Sequence, residues 1–453
     1  MKQIRFGEVA EFRNGLNFGK DSQGKGCLLI GIPDFKDRFS PDYNSLGEIN
    51  PLGIIKEDDY LEKEDILFVR SNGNKNLVGR SLYIDRDVKA VYSGFCIRAR
   101  LTSSIVDTLY CAYYTRSDRF RSSISSSGGT NIQNLNQGIL SDVKIPLFSV
   151  KTQKQIAKVL SDLDAKIEVN NKINAELEAM AKLIYDYWFV QFNFPFDFAQ
   201  GKPDPNGKPY KSSGGKMVYN KELKRKIPEG WDCNLLGDLG NFKNGVNYDP
   251  SNPGEVACPI INVRNISKSS FFLKNEDLDI IYLRETDVRK YAVHEGSIII
   301  ARSGIPGATR LIADYEKNTL FCGFAIHYQL ENLDQKLTIF FYLKSIEEII
   351  KNGSGGTILK NVNQATLNSL KIALPNSKLV IELFNQKITP IFRKINLIQK
   401  ENQKLSELRD WLLPMLMNGQ VTVANDELGI TNAELGNDLG MVAEETQEYK
   451  YTK

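Results

Sequence analysis

Two arginines stand in matched phrases. Arg70-Ser71-Asn72 follows "DILFV" at 65–69, Arg302-Ser303 follows "SIIIA" at 297–301, and each phrase then meets a glycine. An arginine fork fits O6 and N7 of guanine, and a carboxamide fits the paired acceptor and donor of adenine. The stretch "NGNKNLVGR" at 72–80 adds Asn74, Lys75, Asn76 and Arg80. Its counterpart "GIPGATR" at 304–310 keeps Arg310 and is otherwise less polar, so the two stretches are expected to read different bases. A second pair of phrases is rich in small residues: "SSSGGTNIQN", with Gly128, Gly129 and Thr130, and "NGSGGTILKN", with Gly355, Gly356 and Thr357. Such loops let backbone N–H groups approach phosphates. A plain surface turn would explain either loop alone, and an arginine tied to a carboxylate would explain either arginine alone. Recurrence favours a shared role.

Other chemistries find little material. With only His294 and His327, and six cysteines without a CxxC, a zinc site is not expected. "DPNGKPY" at 204–210 does not fit the N/D-P-P-aromatic tetrapeptide of an adenine methyltransferase. "GLNFGKDS" at 15–22 and "GNKNLVGRS" at 73–81 miss the spacing of a phosphate-binding loop. Asp164-Ala165-Lys166 resembles the end of a nuclease signature but sits on a heptad helix without a suitable upstream acid. No catalytic residue, bound cofactor or metal is assigned to this chain.

The elements that carry the arginines are written twice. "FRNGLNF" at 12–18 returns as "FKNGVNY" at 242–248, "SGFCI" at 93–97 as "CGFAI" at 322–326, and "VKIPL" at 143–147 as "LKIAL" at 370–374. A self-match at a nearly fixed offset is the signature of a duplicated architecture. Each copy opens with short buried-strand patterns and ends in a long helix. Ile156, Leu160, Leu163, Ile167, Asn170, Asn174, Leu177, Ala181 and Ile184 step by four and three, as do Phe384, Ile388, Ile391, Ile395, Ile398, Asn402, Leu405, Arg409 and Leu412. That is a heptad seam. Thr152–Gln155 fits a capping box at the first helix start, and Pro390 is expected to kink the second helix. The expected fold is α+β: two α/β domains in pseudo-twofold repeat, separated by two long antiparallel coiled-coil helices. The expected boundaries are 1–150 for the first domain, 151–192 for its helix, 193–228 for a linker, 229–376 for the second domain, 377–420 for its helix, and 421–453 for a disordered acidic tail.

The totals agree with a soluble protein: 453 residues, 42% hydrophobic, 25% charged, without an apolar run of membrane-spanning length. The start lacks the apolar core of a signal peptide, so a cytoplasmic protein with reduced thiols is expected. Net charge is +3, but residues 424–453 carry −5, leaving +8 on the rest. A basic body with an acidic tail permits nucleic-acid binding. Approximate twofold symmetry with two separated contact sites suits duplex DNA.

A resemblance sharpens this. "VKIPLFSVKTQKQIAKVLSDLDAKIEVNNKINAELEAMAKLIYDYWF" at 143–189, "GKPYKSSGGKMVYN", "IPEGW" and "LLPMLMNGQ" at 412–420 resemble the spacer and linker phrases of type I restriction-modification specificity subunits. The resemblance implies two target-recognition domains, each reading half of a split DNA sequence. It implies a helical spacer that docks two methyltransferase subunits, and in some complexes two restriction subunits. S-adenosylmethionine would then belong to the methyltransferase partner, and ATP and magnesium to the restriction partner. The docking surface is expected at the aromatic and Leu/Met-rich helix ends: Leu183, Tyr187, Trp188 and Phe189 in the first, Leu408, Trp411, Leu412 and Met415 in the second. Two rival readings are a protein-binding coiled-coil scaffold and a self-contained DNA modification enzyme.

Overall fold

The structure, a computed structural model, describes residues 2–19, 22–35, 38–51, 55–127, 134–249, 251, 253–274, 278–294, 296–313, 315–352 and 362–423. The tail expected to be disordered lies outside them from 424 onward. The chain divides into two compact units, residues 1–168 with 403–453, and residues 169–402. Each unit contains one α/β module and a part of each long helix.

In the first unit the central sheet is antiparallel, in the order Ala10–Asn14, Cys96–Leu101, Ile66–Val69, Ser81–Tyr83. A three-stranded sheet of Gly47–Ile49, Gln23–Ile30 and Ala90–Tyr92 accompanies it, the last two parallel. A continuous apolar run marks a strand covered on both faces. Ile66–Val69 obeys this: Ile66 and Phe68 enter one core, Leu67 and Val69 another.

The second unit repeats the plan. Its sheet order is Gly240–Asn244, Ala325–Leu330, Ile298–Ala301, Thr309–Leu311, beside Asp279–Leu283, Val256–Ile261 and Leu320–Phe321. Ile298 and Ile300 enter one core, Ile299 and Ala301 the other. Residues between the modules are folded onto this unit. Pro195–Asp197, Lys202–Pro203 and Lys208–Pro209 form a small sheet, and Phe194 stacks on Tyr210 and Trp231.

The long helices span Val150–Tyr185, extended by a π-helical turn at Asp186–Val190, and Lys378–Met417. The first starts two residues before the expected box. Ser149 Oγ accepts the Thr152 amide at 3.1 Å, so Ser149 rather than Thr152 is the cap. The second is helical through Pro390 without a break. Every heptad residue named above is buried or half-buried. Within the first unit Asp164 meets Arg409 at 2.7 Å, while Ile156 and Leu160 share a core with Leu416 and Met417. Within the second, Asn170 donates to Asn402 at 2.8 Å and Tyr185 and Phe189 pack against Phe384. Rising numbers on one helix meet falling numbers on the other, so the pair is antiparallel in each unit. The segment Asp164-Ala165-Lys166 is structural here, because Asp164 also accepts from Tyr113 at 2.7 Å.

Candidate nucleic-acid interface

The phrase "NGLN" grips a tight turn. Gly15 N–H donates to Cys96 O at 3.0 Å, and Gly94 N–H donates to Leu16 O at 2.7 Å. The turn Ser93–Cys96 is closed by Cys96 N–H on Ser93 O at 2.8 Å. The fit demands glycine. A Cβ on Gly15 would collide with the carbonyls of Tyr92 and Ser93, and one on Gly94 with the carboxamide of Asn17. In the second module Gly245 donates to Ala325 O at 3.1 Å, Gly323 to Val246 O at 2.8 Å, and Ala325 to Cys322 O at 2.9 Å. Gly245 faces the carbonyls of Phe321 and Cys322, and Gly323 faces Asn247. The repeated phrase is therefore a clamp, written twice because the turn it holds occurs twice.

Both candidate arginines lie against these turns. Arg70 N–H donates to Phe95 O at 2.7 Å and Arg302 N–H to Phe324 O at 2.9 Å. Both side chains are half-buried, and among the described residues neither meets a carboxylate. Among the described residues the Arg302 guanidinium reaches only Gly323 O, at 3.3 Å. Arg302, Ser303, Asn247, Gly323, Phe324 and Asn363 line an open cleft of about 520 Å³. Ser71 bridges to Asn134 and Leu135 N–H donates to Arg70 O, so the same neighbours gather in the first module.

The other candidates divide. Asn72 Oδ1 accepts the Asn74 amide at 2.7 Å, and Asn74 Oδ1 accepts the Asn76 amide at 3.0 Å. These bonds shape the loop through the oxygen of each carboxamide. Asn76 is exposed, and Arg80 donates to its carbonyl at 3.3 Å. The side chain of Lys75, and Gly128, Gly129, Thr130, Gly355, Gly356 and Thr357, lie outside the described residues.

Arg310 is a correction. It is 4% exposed, and its guanidinium donates to the carbonyls of Ile266, Ser269 and Thr309 and to Glu347 at 3.0 Å. The cause is register. Gly79 and Gly307 share a positive φ, +78° and +83°, so Arg80 matches Ala308 and Arg310 matches Leu82. Arg310 thus occupies the interior of a strand. Burial would raise the Glu347 carboxyl, but Lys344 and Arg310 outweigh it and hold the group at about 2. Burial, helped by Arg310, pushes the Lys344 ammonium below its ordinary value.

The expected partner surface is also only partly offered. In the second unit Leu183 and Tyr187 are exposed, but Trp188 and Phe189 are buried core residues. Trp188 packs on Phe384, and Phe189 on Phe384 and Trp231. In the first unit Leu408 and Trp411 are exposed, and Leu412 and Met415 half-buried. Sequence reasoning missed Phe95 and Phe324, which are 56% and 64% exposed at the turn tips. Their signal was visible in "SGFCI" and "CGFAI", where each phenylalanine follows the clamped glycine.

Two copies of one α/β module, each followed by a member of an antiparallel helix pair, define a class of duplicated recognition proteins rather than a single-cleft enzyme. The chain belongs to the type I restriction-modification DNA specificity family: that domain matches residues 1–179 and 228–409. It is 27% identical over 305 residues to the type I restriction enzyme MjaIX specificity subunit of Methanocaldococcus jannaschii, covering 66% of this chain and 65% of that one. It is 24% identical over 415 residues to the HindI specificity subunit of Haemophilus influenzae, covering 80% and 87%. Among solved structures it is similar to a type I restriction-modification S subunit from M. genitalium, with a TM-score of 0.49, 15% identity and coverage of 92% and 95%. No helix among the described residues is long and apolar enough to cross a membrane.

Proposed function

We propose that each module reads one half of a bipartite sequence in duplex DNA, through the turn that carries Arg70 in the first and Arg302 in the second. The helix pair sets the number of unread base pairs between the halves. It also docks methyltransferase subunits, on the exposed members Leu183 and Tyr187 in one unit and Leu408 and Trp411 in the other. On this reading S-adenosylmethionine is bound by those partners, and ATP and magnesium by restriction subunits where a complex includes them. The target adenine is flipped into the partner, because it cannot be reached inside the stack. The observation that carries the proposal is the pair of arginines on identically clamped turns, without a carboxylate partner among the described residues, beside loops of different composition.

The test is to map methylated adenines in DNA exposed to the assembled complex. Two short motifs separated by unread bases are expected, with binding that weakens steeply as salt rises. Methylation at a single continuous motif, or DNA binding insensitive to salt, would refute it.

A further inference from the structure

The clamp in each module ends in an exposed phenylalanine. Single exposed apolar side chains are ordinary and ask for no account. Here the same residue stands at the third position of the same turn in both modules, Ser93–Cys96 and Cys322–Ala325. Among the described residues neither ring joins a hydrophobic core of its module. The turn is nevertheless built with care: its glycine excludes any side chain, and its phenylalanine carbonyl accepts the amide of the neighbouring arginine. The backbones of the two residues are therefore held next to each other in both modules, and in the second Arg302 and Phe324 line the same cleft. The surrounding loops do not share this constancy, since "NGNKNLVG" faces "SGIPG". A rigid backbone that holds an apolar ring in solvent beside an arginine without a carboxylate partner among the described residues matches a nucleobase, which offers an aromatic face for stacking and, in thymine, a methyl group.

We propose that Phe95 and Phe324 are base-contacting residues, one for each half-site, whose rings press on a base next to the edge that Arg70 or Arg302 reads. This rests on the reading of the modules as DNA readers. It adds an apolar contact to each half-site that the arginines alone would lack.

The test uses the full chain co-purified with its methyltransferase subunits, a duplex carrying the mapped motif, and a duplex of scrambled sequence. Phe95→Ala and Phe324→Ala should each weaken binding to the motif duplex by about ten-fold or more, a loss of the size that ring–base contacts produce. Binding to the scrambled duplex should stay the same. Phe95→Trp should retain affinity, and its fluorescence should be quenched by the motif duplex. Uracil in place of thymine reproduces the loss if the ring covers a methyl. A 2-aminopurine beside the site brightens if the ring unstacks a step. Alanine variants that bind both duplexes as the parent does would overturn the assignment while leaving DNA reading intact. Loss of the co-purifying methyltransferase would overturn it too, by assigning the rings to a protein interface. A parent complex that fails to tell motif from scrambled duplex defeats the DNA reading itself, and the inference with it.

Discussion

Leu82 and Arg310 occupy the same strand position in two copies of one sheet. Leu82 lies opposite Leu67, and Arg310 opposite Ile299. The next strand carries Arg98 in the first module and His327 in the second. Above the turn, a Cβ on Gly79 would strike Ile124 and one on Gly307 would strike Ile350, so Arg121 in one helix corresponds to Glu347 in the other. The modules thus share a backbone and differ in charge at three matched positions. In the second, Glu347 accepts from Thr309 N–H and collects Arg310, Lys344 and Lys351. In the first, Arg121 reaches the carbonyls of Val78 and Asn76 and so supports the polar loop. The comparison teaches that glycines and apolar alternation hold the frame, while each loop rests on its own polar support. Loops supported in this way can diverge without disturbing the sheet.

The largest expected effect tests that division. Glu347→Gln leaves Arg310 buried without its counter-charge, which should destabilise the second module by about 3–5 kcal/mol. Arg121→Gln removes charged hydrogen bonds to two carbonyls at the surface, with an expected cost of about 1–3 kcal/mol. Hydrogen exchange over Lys336–Lys351 and over Asp118–Ser127, in the full chain, reads the two effects separately. Equal losses in both variants would mean that the two supports are energetically interchangeable.

Much of this was legible in the sequence, for stated reasons. The duplication announced two equivalent modules. The heptad steps identified the buried faces of both helices, because helical periodicity is set by geometry that no neighbour overrides. The strand pair "ILFV" and "IIIA" was legible because both faces are covered. Arg310 was misplaced because it was matched to Arg80 by charge. The glycine with positive φ was the firmer anchor, since few other residues adopt that conformation. Trp188 and Phe189 were misplaced because they were read from aromatic density: the heptad step of four from Ile184 already puts Trp188 on the buried seam, and Phe189 packs on Phe384 and Trp231. Pro390 forfeits one hydrogen bond, yet the packed helix tolerates it, with Ile388 and Ile395 fully buried on either side.

The next effect concerns pH. Burial pushes His327 down from 6.5 to about 4, with smaller contributions from His294 and Lys243. The unfolded chain takes up this proton first. Stability of the second module should therefore fall as pH drops below about 6.5 and continue to fall to about 4, by up to about 3 kcal/mol. In the first module the place is held by Arg98, which donates to Asp58 O at 2.9 Å. Hydrogen exchange at pH 7, 6 and 5 should show the slope in the second module, and His327→Gln should remove it. A slope that survives the substitution must come from other groups.

The smallest effect, and the one closest to function, separates the modules by what they read. Arg70→Ala should relax one half of the methylated motif and Arg302→Ala the other, each by about 1–3 kcal/mol at the base pair concerned. Arginine to lysine is the sharper form. Lysine keeps the charge but loses the planar fork that matches guanine. If the arginines read base edges, Arg70→Lys and Arg302→Lys should preserve overall affinity and lose discrimination at one position each. If they touch only phosphate, the lysine variants should behave as the parent, while the alanine variants weaken all sequences alike and flatten the salt dependence by about one counterion. Methylation maps, together with binding to duplexes that differ at single base pairs, distinguish the cases. The modules need not agree. Arg302 is braced by Gly323 O, and no such contact is seen for Arg70 among the described residues. A braced fork presents one geometry, so Arg302→Lys should lose more discrimination than Arg70→Lys. Equal losses would show that the turn, identical in both modules, orients the arginine without help from the brace.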